Sequence, residues 1–113
     1  MCEDLKTKAN DPDRIIRRQV ADDPNCPLEI LEQLANDPHP KVRCSVALHP
    51  KTSAALLIKL SDDSYDSVRR NVADNENTPG FVIQKLLLDK VETVRQYAEK
   101  TYKERIMDIC TRE

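Results

Sequence analysis

Apolar positions in this chain come round every 26 residues. Leu31, Leu57 and Ile83 stand in register, as do Leu34, Leu60 and Leu86, then Val20, Val46, Val72 and Ala98, and Ala21, Ala47 and Ala73. The same step carries Ile16-Arg17 to Val42-Arg43, Val68-Arg69 and Val94-Arg95, and Asp11 to Asp37, Asp63 and Asp89. A fixed period of this length, without insertion, marks an array in which each unit is one supersecondary element.

Within a unit the apolar spacing is helical twice over. Positions 28, 30, 31 and 34 share one face, and so do 16, 20 and 21. The first helix is predicted to begin near Pro27, Ser53 or Pro79, behind Cys26, Thr52 or Thr78. Thr is a good N-cap, and Pro suits the first helical position because its missing N–H would be unpaired there anyway. The second helix is predicted to start after Asp11, Asp37, Asp63 or Asp89, with Asp11-Pro12 and Asp37-Pro38 as cap and first residue. Helices of about nine or ten residues are marginal alone, where roughly 12–15 are needed, so neighbouring units must stack to share a core.

The expected fold class is therefore all-α. Residues 1–113 form one domain, a short α-solenoid of about four two-helix repeats with a longer C-terminal capping helix. Lys8 replaces the leucine of later units, and the last helix runs on with Val94, Ala98, Tyr102, Ile106 and Ile109 in one stripe. Both ends are expected to shield the stack.

The arginine column raises a chemical question. Arg17 lies one turn before Ala21, on the buried side, so its guanidinium needs a partner. The aspartate six residues earlier cannot share its helical face. It is expected to cap its own helix and reach an arginine across the repeat interface. Asp11, Asp37, Asp63 and Asp89 with Arg17, Arg43, Arg69 and Arg95 then form a structural ladder rather than a row of arginines offered to phosphates.

Composition narrows the function. A net charge of -2 gives no basic excess for nucleic acid or an anionic membrane. No apolar run approaches the roughly 20 residues of a membrane span, and the N-terminal stretch lacks a signal-peptide core, so the expected location is cytoplasmic. One glycine in 113 residues argues against Gly-rich phosphate loops. The four cysteines, Cys2, Cys26, Cys44 and Cys110, match no metal-binding spacing and read as reduced thiols. His39, Cys44 and His49 are five apart, a poor spacing for one helical face, and neither histidine recurs in other units. No nucleophile–base–acid set is visible. No metal, cofactor or catalytic residue is expected.

The stretches LEQLANDPHPKVRCSVALHPKT and VRRNVADNENTP follow a pattern, LxxLAxDPxxxVRxxVAxxPxTP, that resembles the leucine-rich-repeat-variant family, a bacterial relative of HEAT repeats. The resemblance covers nearly all of residues 5 to 98. It implies a right-handed superhelix of two layers, one α-helical and one of shorter α or 3-10 helices. It also implies the inter-repeat ladder, because HEAT repeats carry an Asp and an Arg six apart. Leu88, Lys90 and Glu76 depart from the pattern. The clustered cysteines of family members with an iron–sulfur module have no counterpart here. HEAT-like DNA glycosylases need a basic concave face and aromatic side chains, which a chain without Trp does not offer.

What remains for function is surface. The outward columns of the second helices are expected at 14/40/66/92, 18/44/70/96 and 19/45/71/97. They read Arg, Pro, Asp, Glu, then Arg, Cys, Arg, Gln, then Gln, Ser, Asn, Tyr. The resemblance places them on a concave side, where Arg14, Arg18, Arg70 and Tyr97 are the candidate partner-binding residues. The expected function is non-catalytic protein binding, as an adaptor, regulatory or immunity-like module. The protein partner would meet a monomer or weak homodimer. The alternative is a nucleic-acid-binding solenoid using Arg14, Arg18, Lys41 and Arg70. Failing both, the outer helices around Glu29, Glu32, Lys59 and Lys85 would be the binding face.

Overall fold

In the computed structural model, the backbone is described for residues 2–111 and the side chains for residues 4–107. Ile109, Cys2 and Cys110, named above, have side chains outside that range. The described residues form eight α-helices and no strand. They are α1 (Cys2–Ala9), α2 (Arg14–Asp22), α3 (Leu28–Leu34), α4 (Pro40–Leu48), α5 (Ala54–Leu60), α6 (Asp66–Asp74), α7 (Gly80–Leu86) and α8 (Glu92–Thr111).

The helices pack as two rows. Helices α2, α4, α6 and α8 contact one another in chain order, and α3, α5 and α7 each lie against the two helices that flank them in sequence. The molecule is correspondingly elongated, 47 × 31 × 18 Å. Leu31, Leu34, Leu57, Leu60, Ile83 and Leu86 from the shorter helices interleave with Val20, Val42, Val46, Val68 and Val72 from the longer ones, all at 2% exposure or less. Burying one such side chain contributes about 1.5–3 kcal/mol, which seven- and nine-residue helices cannot gain alone. Position 28 falls outside the core, since Leu28 is 40% exposed and Ala54 and Gly80 are exposed too.

Helix starts differ from the sequence expectation by two residues. The N-caps of the longer helices are Asp13, His39 and Tyr65 rather than the aspartates of the ladder column. Asp11, Asp37, Asp63 and Asp89 instead accept the N–H of the residue two further on, at 2.8–3.0 Å. Each aspartate thus closes a turn before the helix, and Pro12 and Pro38 sit inside that turn; Pro40 is the proline at a helix start. The shorter helices are seven residues long and begin one residue after Pro27, Ser53 and Pro79, which hold the N-cap.

Thr52 and Thr78 are not N-caps. Their hydroxyls donate backwards, at 2.6 Å, to the carbonyls of Val46 and Val72. A helix leaves its last four carbonyls without intrahelical partners; these two accept the N–H of His49 and Asn75, and the buried threonine six residues on adds a second donor. Among the described residues no backbone takes a positive φ. The turns therefore need no left-handed residue, which is how the chain manages with one glycine.

Helix α8 is buried at Val94 and Ala98, but Tyr102, Ile106 and Met107 are 37%, 41% and 64% exposed. The apolar stripe leaves the core after about two turns, because α6 beneath it has ended. Tyr102, Ile106 and Met107 therefore do not act as a lid over a core. No helix among the described residues is long and apolar enough to cross a membrane.

Candidate functional site

The second helices present two edges and a face. On the N-terminal edge, Arg17, Arg43 and Arg69 each hold the aspartate of the next unit with a two-pronged contact. Nε donates to Oδ2 of Asp37, Asp63 and Asp89 at 2.7–2.8 Å, and Nη2 donates to Oδ1 at 3.2 Å. Nη1 donates to the carbonyl of the unit's own aspartate, Asp11, Asp37 or Asp63, at 2.7–2.8 Å. The pairs are sheltered, with side-chain exposures of 15% and 5%, 13% and 9%, and 7% and 8% along the chain. The hydrogen bond to the aspartate holds each guanidinium more firmly protonated than usual, against the opposing effect of burial. Arg95 keeps the bond to its own aspartate carbonyl, Asp89, at 2.7 Å, and among the described residues meets no carboxylate. Among the described residues Asp11 likewise makes no ion pair with an arginine of another unit.

On the C-terminal edge stands a second set of cross-unit bonds, at positions 49, 75 and 101. His49 Nε2 donates to the Asp23 carbonyl at 2.8 Å, its Nδ1 being the acceptor of the Lys51 N–H. Asn75 Nδ2 donates to the carbonyls of Ala47 at 2.8 Å and His49 at 3.1 Å. The Thr101 hydroxyl donates to the Ala73 carbonyl at 2.7 Å. Sequence reasoning missed this set, because imidazole, amide and hydroxyl share no residue type. The signal was a column that is polar in every unit beside a buried one.

The face between the edges carries the candidate binding residues. Arg70 lies over the Tyr97 ring at 5.5 Å from its centroid, a cation–π contact between α6 and α8. Arg14 and Arg18 lie one turn apart on α2, both exposed, with Arg18 facing Asp22 at 3.8 Å. Helix α4 lies between these two pairs, so the four residues make two separate spots. Two of the expected outward columns also turn inwards in the middle of the molecule. Ser45 is buried, Asn71 is half-buried and donates to the Cys44 carbonyl, and half-buried Cys44 donates to Ser67 Oγ at 3.3 Å. In the same column Gln19 is exposed.

Residues 16–39 match the family model described as leucine rich repeat variant. The matched span takes in one full rung of the ladder, from Arg17 to Asp37, together with α3. Leucine rich repeat variant units are structural modules, and the later units carry the same rung residues at the 26-residue step. No curated protein and no solved structure matches the chain.

The remaining candidate chemistry is dispersed. His39 Nδ1 accepts the Lys41 N–H at 3.2 Å, which ties it to the start of α4 and away from Cys44 and His49. Burial, then Arg14 and Lys41, lower its pKa. Fully buried Cys26 has its thiol pushed up to about 11, chiefly by burial and then by Asp23, so it is a poor nucleophile at neutral pH. Among the described residues no three His, Cys, Asp or Glu side chains gather as a metal site would require.

Proposed function

We propose that the chain is a non-catalytic protein-binding module, cytoplasmic and of adaptor, regulatory or immunity-like kind. Its helices are read as about four repeats of a right-handed, HEAT-like solenoid, with the longer helices lining the concave side. The partner docks on that side, centred on Arg70 and Tyr97.

The observation that carries this reading is the Arg70–Tyr97 cation–π contact. The ladder arginines Arg17, Arg43 and Arg69 are held by carboxylates, Arg43 lying over Tyr65 as well, whereas Arg70 lies 5.5 Å from the centroid of a Tyr97 ring that is itself 38% exposed. Arg and Tyr pre-arranged in this way offer contact area at little further entropic cost. A phosphate backbone is a poorer fit, because Asp22 shares α2 with Arg14 and Arg18, and Asp66 and Asp74 share α6 with Arg70.

The test is affinity capture from extract of the source cells, with the parent chain and the Arg70→Glu, Tyr97→Ala double variant. The expected result is a partner that survives nuclease treatment. Its calorimetric affinity should fall by about 30-fold or more in the variant, as for loss of a hot spot, with unchanged circular dichroism. A ligand lost on nuclease treatment would favour nucleic acid. Equal affinities would move the site to the outer helices.

A further inference from the structure

We propose that the C-terminal edge of the second-helix row binds an extended basic peptide carrying one large apolar side chain. This surface is separate from the face around Arg70 and Tyr97, and either reading can fail alone.

Three hollows lie in line along that edge, of about 150, 260 and 510 Å³. The first two share Leu48 and Pro50, and the second and third share Asp74 and Glu76, so they form one groove crossing three unit junctions. Its narrow end is mainly apolar. Leu48 is 48% exposed and lies between exposed Pro24 and Pro50. The column of Leu48 is otherwise Asp22, Asp74 and Lys100, so an exposed leucine there serves no packing role that its counterparts share.

The rim is acidic, with Asp22, Asp74, Glu76 and Glu104. Folding gives no reason for the first two. They end α2 and α6, at the negative pole of each helix, where a carboxylate is unfavourable. Among the described residues Asp74 makes no ion pair, and the Arg18 contact to Asp22 is long, at 3.8 Å. Of the two cations at the wide end, Arg105 is engaged by the carbonyls of Asn75 and Glu76. Lys100 shares the wide end with Asp74, Glu76 and Glu104. Charges placed against the local rule, beside an unused apolar anchor, suit a ligand that brings lysine or arginine on either side of an apolar residue. A side chain seated on Leu48, with the strand running along the groove, would place cations beside Asp22 on one side and Asp74 and Glu76 on the other.

The probes are short fluorescein-labelled peptides with one leucine flanked by lysine and arginine, an oligolysine of equal charge, and an acidic counterpart. Anisotropy is expected to show binding of the leucine-containing basic peptides only. Their amide shift changes should centre on Leu48, Asp74, Asn75, Glu76 and Thr101. Leu48→Ser, and Asp74→Lys with Glu76→Lys, should each weaken binding about tenfold or more, while Arg70→Glu with Tyr97→Ala should not. The proposal is overturned if no peptide binds, if oligolysine binds equally well, or if the shifts centre elsewhere. The shift map is read on the parent chain, so it decides the matter even where a variant misfolds.

Discussion

The two edges of the second-helix row tie unit to unit by different chemistry. On the N-terminal edge, Arg17, Arg43 and Arg69 grip Asp37, Asp63 and Asp89 with the same fork every time. On the C-terminal edge, His49, Asn75 and Thr101 reach back to carbonyls of the unit before. A carboxylate is matched in two prongs only by a guanidinium of the right reach, so one residue type recurs. A backbone carbonyl accepts from any N–H or O–H, so imidazole, amide and hydroxyl can replace one another. The first edge is regular in residue type and in acceptor, whereas the second keeps only the place of its donor, His49 reaching Asp23, Thr101 reaching Ala73, and Asn75 reaching both equivalent carbonyls.

The sharpest way to break the contrast is to remove one fork. Arg69→Ala leaves the Asp89 carboxylate and the Asp63 carbonyl sheltered without their donor. The expected loss is about 3–5 kcal/mol in urea unfolding, the usual cost of orphaning half of a buried pair. Arg95→Ala removes the same side chain where it meets only a carbonyl, and should cost no more than about 1.5 kcal/mol. Equal losses at 69 and 95 would mean that the guanidinium stem, and not the fork, is what stabilises the edge.

The other edge should be softer and more forgiving. Asn75→Val removes the donor to two buried carbonyls, those of Ala47 and His49, with an expected cost of about 1–3 kcal/mol. Asn75→His restores a donor of the kind that the preceding unit uses at the same place and should recover part of that loss. If His does no better than Val, the column depends on shape and the equivalence of donors is wrong.

The same distinction explains what could be read in the sequence. The 26-residue step placed Val42, Leu57, Val68 and Leu86 in the core because apolar burial demands the same kind of residue in each unit. It also singled out the Asp and Arg columns, whose fork tolerates no substitute. It misassigned Thr52 and Thr78, because a threonine ahead of a proline or serine looks like a cap for the next helix, while its hydroxyl in fact serves the helix behind. It misplaced Ser45 and Asn71 for a different reason. A column's polarity does not reveal whether a neighbouring unit covers it, and those two small polar residues are covered. For the binding face, periodicity is silent by nature, since a partner's contacts need not repeat. Tyr97 stood out as the aromatic in a polar column, but its Arg70 neighbour came from the geometry.

The smallest expected effect lies in the acid limb of stability, at a single rung. Burial on its own would raise the Asp89 pKa, but the fork from Arg69 and the Val91 N–H outweigh it and hold the carboxyl below its ordinary value. In the unfolded chain the same group takes its proton at about pH 3.9. The unfolded state thus binds the proton first as pH falls. The rung's contribution is complete above roughly pH 5 and is lost as pH drops through the depressed native value. Asp89→Asn cannot titrate, so its stability deficit relative to the parent should be largest near neutral pH and shrink as the acid limb is descended. Urea midpoints measured on both proteins from about pH 7 down to pH 2 check this. A deficit that stays constant across that range would show that Asp89 titrates alike in the folded and unfolded chains, and that the fork acts through shape and hydrogen bonding without favouring the ionised carboxyl.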